Sequence, residues 1–238
     1  MNRFVGKSVQ KIDALSLATG EAKFVDDYTL PGTTYAKIMT SPHAHAKIIE
    51  IDTSQAEKIE GVIDILCYKN VKRVLHTTAG QGFPEPSPYD TVMFDTKVRY
   101  AGDRVAAVLA DSIETAEQAI SRIKVHYEML PALLDYEKAL EPDAPIIHEE
   151  PDKYSPIHAP YEPQKNLAAH VAFEHGDVNA GFKEAEQIFE HTYYTGYASH
   201  CMLEPHSVFT YLDEQNRLVM VTSTQVPFHV RRICSKVL

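Results

Sequence analysis

Apolar and polar positions change period several times along the chain, and each change marks an element. Tyr35–Thr40 (YAKIMT) and Lys47–Ile51 (KIIEI) read as strands, and Ser41-Pro42 between them reads as a turn. Asp52, Thr53 or Ser54 can cap a short helix over Gln55–Lys58, with Gly61 just past its end. Val62–Tyr68 is an apolar strand, and Val98–Tyr100 is extended before the Gly102-Asp103 turn. Arg104–Ala110 (RVAAVLA) is continuously apolar, as a strand covered on both faces should be. Ile113, Ala116, Ile120 and Ile123 then recur at helical spacing, with Asp111 and Glu114 as a capping pair. From Ile123 to Glu128 the period shortens to two, which puts Ile123, Val125 and Tyr127 on one face of a strand that Pro131 stops.

Beyond this point the pattern breaks. Prolines 142, 145, 151, 156, 160 and 163 crowd one stretch, and Thr77–Pro88 is a second loop, rich in Gly and Pro. After the proline-rich stretch, Ala168–Glu174 and Gln187–Tyr197 read as strands. Between them lies a helix over Val178–Glu186, capped by Asp177, with Ala180-Gly181-Phe182 facing inward. Ser207–Leu212 and Leu218–Thr224 form a hairpin around Asp213–Arg217. Pro227 opens a final helix with Val226, Val230, Ile233 and Val237 as its apolar stripe. The fold class is therefore α+β, in two regions. The second region has few elements with which to close a core by Leu238, which leads us to expect a fragment or one half of a split protein.

Composition narrows the function classes. Of 238 residues, 44% are apolar and 24% charged, enough apolar surface to fold, and ten glycines and three cysteines exclude collagen-like and disulfide-scaffold chains. The net charge of −10 and the lack of any basic run argue against nucleic acid and anionic membranes as partners. No apolar run nears the roughly 20 residues of a membrane span, and residues 1–20 lack the apolar core of a signal peptide. Cys67, Cys201 and Cys234 are widely spaced without a CxxC, and we read them as reduced thiols of a cytoplasmic protein.

The residues by themselves carry little chemistry. His43 and His45, two apart, would share one face of a strand, but no third metal ligand lies near them. There is no GxGxxG, no GxxxxGK[ST] and no GxSxG.

Several ordered blocks are more specific. Val5–Val9 with Lys11–Ala14, Thr19–Asp27 (TGEAKFVDD), Ser41–Ile48 (SPHAHAKI) and Val98–Val108 (VRYAGDRVAAV) resemble the opening of a molybdenum hydroxylase large subunit. Leu203-Glu204-Pro205-His206, Ser223-Thr224-Gln225-Val226-Pro227 and His229–Arg232 resemble the start of its molybdopterin-binding domain. The chain thus resembles the xanthine dehydrogenase/aldehyde oxidase family over nearly its whole length. The resemblance implies an α/β hammerhead domain (15–135), a proline-rich linker (136–165) and an incomplete α+β molybdopterin-binding domain (166–238). It implies one cofactor-binding residue, Gln225, whose amide would donate a hydrogen bond to an oxo ligand of molybdenum. Glu204 ranks below it as a carboxylate bonding loop amides, and Cys201 and Cys234 are structural, since the dithiolene sulfurs belong to the cofactor.

No catalytic residue and no metal ligand is expected in this chain, because the family's glycine-rich GGGFG loop and its catalytic glutamate are missing from it. The complete assembly would hydroxylate an aldehyde or an N-heterocycle at molybdenum-molybdopterin. Electrons would pass to 2Fe-2S clusters and FAD on partner domains or subunits, and the remaining C-terminal part of the molybdopterin subunit would be a further partner. The alternative is a non-catalytic hammerhead module that docks a partner subunit.

Overall fold

The structure, a computed structural model, describes residues 4–78, 87–149 and 161–238. The expected Thr77–Pro88 loop and the proline-rich stretch lie partly outside these residues. The chain forms two compact units, one of residues 1–31 and 190–225, the other of residues 32–189 and 226–238.

The first unit opens with α1 (Ala14–Thr19), a helix that the mixed polar pattern of the N-terminal segment did not predict. Gly20 ends it with φ 75°, a left-handed conformation that glycine enters without a Cβ penalty. A 3-10 turn follows at Val25–Asp27, braced by the Phe24 N–H donating to Asp27 Oδ2 at 2.8 Å.

Among the described residues, the larger unit has six strands: β1 (Tyr35–Thr40), β2 (Ala46–Asp52), β3 (Val62–Cys67), β4 (Lys97–Val98), β5 (Arg104–Ala110) and β6 (Lys124–Met129). They form two antiparallel sheets, ordered β1-β5-β3 and β4-β2-β6. β5 is the middle strand of the first. Tyr35 pairs with Ala110 on one side, and Cys67 pairs with Ala106 on the other. Helix α2 (Ile113–Ile120) lies on this sheet. Val105, Ala106, Ala107, Val108 and Ala110 are all buried as a result, which accounts for the continuous apolar run. Ala46, Ile48 and Ile51 of β2, Val98 of β4, and Ala116 and Ala119 of α2 complete the core.

Two local expectations need correction. The helix expected at Gln55–Lys58 is a series of turns. Asp52 Oδ1 does accept from the Ser54 N–H at 2.9 Å, and Thr53 O from the Glu57 N–H at 3.0 Å. One turn does not propagate before Gly61, at φ 91°, reverses the chain. The cap of α2 is Ser112, not Asp111. Ser112 Oγ accepts from the Thr115 N–H at 3.1 Å, while the Asp111 N–H donates to Gly61 O at 2.9 Å and its carboxylate lies against Gly61.

Further along, α3 (Val178–Glu184) is capped by Asp177 Oδ1, which accepts from the Ala180 N–H at 2.9 Å. Phe182 is exposed rather than inward-facing. The strands expected at 168–174 and 187–197 are not formed, because among the described residues no strand lies beside them to complete a ladder. The hairpin is as expected: β7 (Val208–Leu212) pairs with β8 (Leu218–Thr222) in full register. Asp213 organises its turn, accepting from the Gln215 and Arg217 N–H groups, each at 2.9 Å. Those backbone donors, with the Arg217 guanidinium, hold the Asp213 carboxyl below its ordinary value. The final helix, α4 (Pro227–Val237), has Pro at its first turn. Its expected stripe is only part-buried, and the buried residue is His229.

Candidate functional site

The first compact unit is held together by side chains from three distant stretches. Ser223 is the central one. Its Oγ accepts from the Ser207 N–H at 3.1 Å and donates to Pro205 O at 3.0 Å, which joins the end of β8 to the loop before β7. Thr222 Oγ1 adds a bond to Ser207 O at 3.3 Å. Glu204, in that loop, accepts from the Val25 N–H at 3.3 Å. This agrees with the expectation that its carboxylate bonds a loop amide. Tyr28 stacks on Phe209 of β7 with ring centroids 6.3 Å apart. The segments Thr19–Asp27, Leu203–His206 and Ser223–Gln225 therefore meet in one unit.

Gln225 is the last residue of that unit. It is exposed, and among the described residues its carboxamide makes no hydrogen bond. Ser223 fixes the backbone two residues before it, and Pro227 fixes φ two residues after it. The side chain is thus a neutral donor and acceptor on a restrained backbone. It stands between a strand end, Thr222, and a helix start, Pro227, as expected.

The other candidates lie elsewhere. His43 and His45 are in the β1–β2 loop rather than in a strand. His45 is buried, and its Nδ1 donates to Pro131 O at 2.6 Å, while the His43 ring meets the edge of Tyr127 at 4.8 Å. Cys67 is in the core, Cys234 is part-buried, and Cys201 is exposed. Among the described residues no group of three His, Cys, Asp or Glu side chains is arranged to hold a metal ion.

One charged cluster was not anticipated from the sequence. A cavity of about 340 Å³ in the larger unit is lined by Lys47, Arg73, Asp95, Lys97, Arg99 and Glu149. Its charges are largely paired with one another. Buried Lys97 Nζ donates to Ile147 O at 3.1 Å and to Glu149 Oε1 at 3.0 Å, which fastens residues 146–149 to β4. Arg73 and Arg99 reach Asp95 Oδ2 at 3.1 and 3.0 Å. Burial pushes the Asp95 carboxyl up, but the two guanidiniums outweigh it and leave the pKa below the ordinary value. The signal was present in the alternating charges of Asp95-Thr96-Lys97-Val98-Arg99. The hydrogen-bond network identifies it as a structural seam.

Comparison with known proteins finds two family domains along the chain, whose limits differ from those of the two compact units. Residues 19–131 match the a/b hammerhead domain of aldehyde oxidase and xanthine dehydrogenase, and residues 157–238 match the molybdopterin cofactor-binding domain. A probable hypoxanthine oxidase of Escherichia coli strain K12 is 38% identical over 96% of this chain, which spans 26% of that protein. The nicotinate dehydrogenase large molybdopterin subunit of Eubacterium barkeri is 33% identical over 95% of this chain, which spans 49% of it. Among solved structures, the aldehyde oxidoreductase of Desulfovibrio desulfuricans superimposes on 98% of this chain with a TM-score of 0.77 at 27% identity, and 25% of that chain is covered. The two matched domains, in this order and over most of the sequence, place the chain in the aldehyde oxidase and xanthine dehydrogenase family of molybdenum hydroxylases.

Proposed function

We propose that this chain contributes the hammerhead and part of the cofactor-binding domain to a molybdenum hydroxylase that oxidises an aldehyde or an N-heterocycle. The observation that carries the reading is the meeting of three family-like segments in one unit that ends at Gln225. The uncommitted carboxamide fits the cofactor, because it offers an N–H donor to an oxo or pterin oxygen without adding charge. Bound molybdopterin supplies the oxygen transfer and two-electron oxidation that no side chain provides. Gln225 orients that group, Ser223 fixes the backbone that carries Gln225, and Glu204 ties the supporting loop to Val25. We assign no catalytic residue and no metal ligand to this chain. The 2Fe-2S and FAD centres belong on partner domains or subunits, and the assembly works in the cytoplasm. Among the described residues no helix is long and apolar enough to cross a membrane.

We retain the domain extents 15–135, 136–165 and 166–238 as part of the proposal. A fragment of residues 15–135 should then unfold cooperatively by itself. The test of function is elemental analysis with electronic absorption spectroscopy. Protein purified with its natural neighbours should carry molybdenum together with iron–sulfur and flavin bands, and the isolated chain should carry no stoichiometric molybdenum. An assembly without molybdenum refutes the enzyme reading. Molybdenum held by the isolated chain refutes the division of the site between this chain and further polypeptide.

A further inference from the structure

The charged cavity of the larger unit holds more hydrogen-bond donors than its own framework engages. Asp95 is saturated: its carboxylate accepts from the guanidiniums of Arg73 and Arg99, and Oδ1 also accepts from the Thr96 N–H at 2.8 Å. Glu149 is committed to Lys97, and its side chain is 63% exposed, so water weakens the pair. Among the described residues these are the carboxylates of the lining, against four cations. Arg99 donates through Nη1 to Asp95 and through Nε to Ile147 O at 3.3 Å. Among the described residues, its Nη2, the Lys47 ammonium and the Thr96 hydroxyl, all of residues that line the cavity, make no hydrogen bond.

The strand register sharpens the imbalance. Lys47 of β2 lies directly opposite Lys97 of β4, and directly paired residues share a face, where like charges repel. Lys97 is also buried, so water does little to screen it. Glu128 lies opposite Lys47 on β6, but among the described residues it forms no ion pair with it. The field of the cluster reaches its neighbours. The hydrogen bond from Lys97 is the main cause that holds the Glu149 carboxyl below its ordinary value, and the charges of Lys47 and Arg99 add to it. In a chain of net charge −10 this is a local reversal of sign. Two lysines placed face to face are stabilised by an anion between them.

We propose that the cavity binds a small tetrahedral dianion, the phosphoryl group of free phosphate or of a small phosphomonoester, through Lys47, Arg99 and Thr96. An ammonium, a guanidinium and a hydroxyl from three positions suit an acceptor that carries oxygens on every side, and a dianion offsets more of the positive charge than a single carboxylate does. A volume of about 340 Å³ is at the low end for ligand pockets, which favours a small ligand. The inference draws on the larger unit alone and is independent of the family reading.

Isothermal titration calorimetry of the 238-residue chain tests it, in buffer without other oxyanions and at a pH where phosphate is a dianion. The expected result is saturable one-to-one binding of inorganic phosphate or of glycerol 3-phosphate, the tighter of the two naming the source, with no binding of acetate at equal ionic strength. Amide exchange at residues 46–48 and 97–99 should slow about tenfold in the saturated protein. Lys47→Ala should weaken binding about tenfold or more, while its urea midpoint without phosphate stays level or rises, because the repulsion with Lys97 is gone. Thr96→Val, which changes no charge, should weaken binding about fivefold and decides the matter if Lys47→Ala does not fold. Lys183→Ala removes an exposed charge outside the cavity and should change affinity less than about twofold. Four results each overturn the proposal: no saturable binding of either phosphate, equal binding of acetate, protection confined to other segments, or affinity unchanged in folded Lys47→Ala and Thr96→Val.

Discussion

Gly61 joins two constraints that a single substitution separates. Its φ of 91° lies where an L-residue carries a backbone cost, about 1–2 kcal/mol for Ala. A Cβ built there falls 2.6 Å from both Asp111 carboxylate oxygens and 2.7 Å from Cγ, well inside van der Waals contact. Asp111 is exposed, and its short side chain can rotate away, but its N–H is held on Gly61 O at 2.9 Å, so the two backbones stay close. Relieving the overlap adds about 1 kcal/mol, which gives about 2–3 kcal/mol for Gly61→Ala, within the range of strained-backbone substitutions. In an Asp111→Ala background the overlap vanishes, and the same change should cost only the backbone share, about 1–2 kcal/mol. Urea unfolding of the four chains, with amide exchange on β3 and α2 as the local probe, measures both numbers. A Gly61→Ala effect under about 0.5 kcal/mol, or strict additivity with Asp111→Ala, would show that the turn relaxes freely and that the fit is not a constraint.

In the complete holoenzyme, Gln225→Ala should lower turnover per bound molybdenum by about 10²–10³ with the thermal midpoint unchanged. Normal turnover with a lowered midpoint would instead make Gln225 part of the scaffold. Ser223→Ala removes one donated and one accepted bond from a part-buried site and should cost about 1–2 kcal/mol. The loss should appear first as faster exchange of the Ser207 amide, and unchanged exchange there counts against the lock. Burial, the largest influence on each, lowers the pKa of His76 and of His148 from 6.5. The unfolded chain therefore takes up protons first as the pH falls. Stability should be at its full value above about pH 6.5 and decline below it toward the folded pKa values. His76→Gln should flatten that decline in a pH series of urea midpoints, and a slope unchanged by it would remove His76 as a source.

How far the sequence could be read depended on whether each pattern had its partner within reach. Tyr35–Thr40 and Arg104–Ala110 alternate or run apolar because they pair with each other, and both strands have the expected bounds. The Asp213–Arg217 turn was legible because its side chains bond their own backbone. Asp111 and Ser112 were not separable, since either can cap a helix, and what decides between them is the distant Gly61. Phe182 in α3 and the tyrosines at 193, 194 and 197 lie in stretches whose pattern suggests burial, yet they are exposed, and among the described residues no strand pairs with the segment that carries the tyrosines. At the site, Gln225 stood out only through family resemblance, because a lone glutamine before a helix has no chemical signature of its own. The roles of Ser223 and of Lys97 in bridging distant segments depend on folded geometry that no local pattern encodes.

The order of strands also sets a timetable for synthesis. Both outer strands of the first sheet wait for the middle one, because among the described residues Tyr35–Thr40 and Val62–Cys67 find their strand partner in Arg104–Ala110. The second sheet waits as well, since Ala46–Asp52 pairs with Lys97–Val98 and Lys124–Met129. At roughly 5–20 residues per second, the interval between Thr40 and Arg104 is about 3–13 s, far longer than the microseconds in which a hairpin closes. For that time Ile38, Ile48, Ile51 and Ile65 emerge as a run of unpaired, β-prone segments, the condition under which nascent chains aggregate. Codon usage that hastens translation between residues 68 and 110 should therefore raise the soluble yield of this chain, and slowing it there should increase its dependence on chaperones.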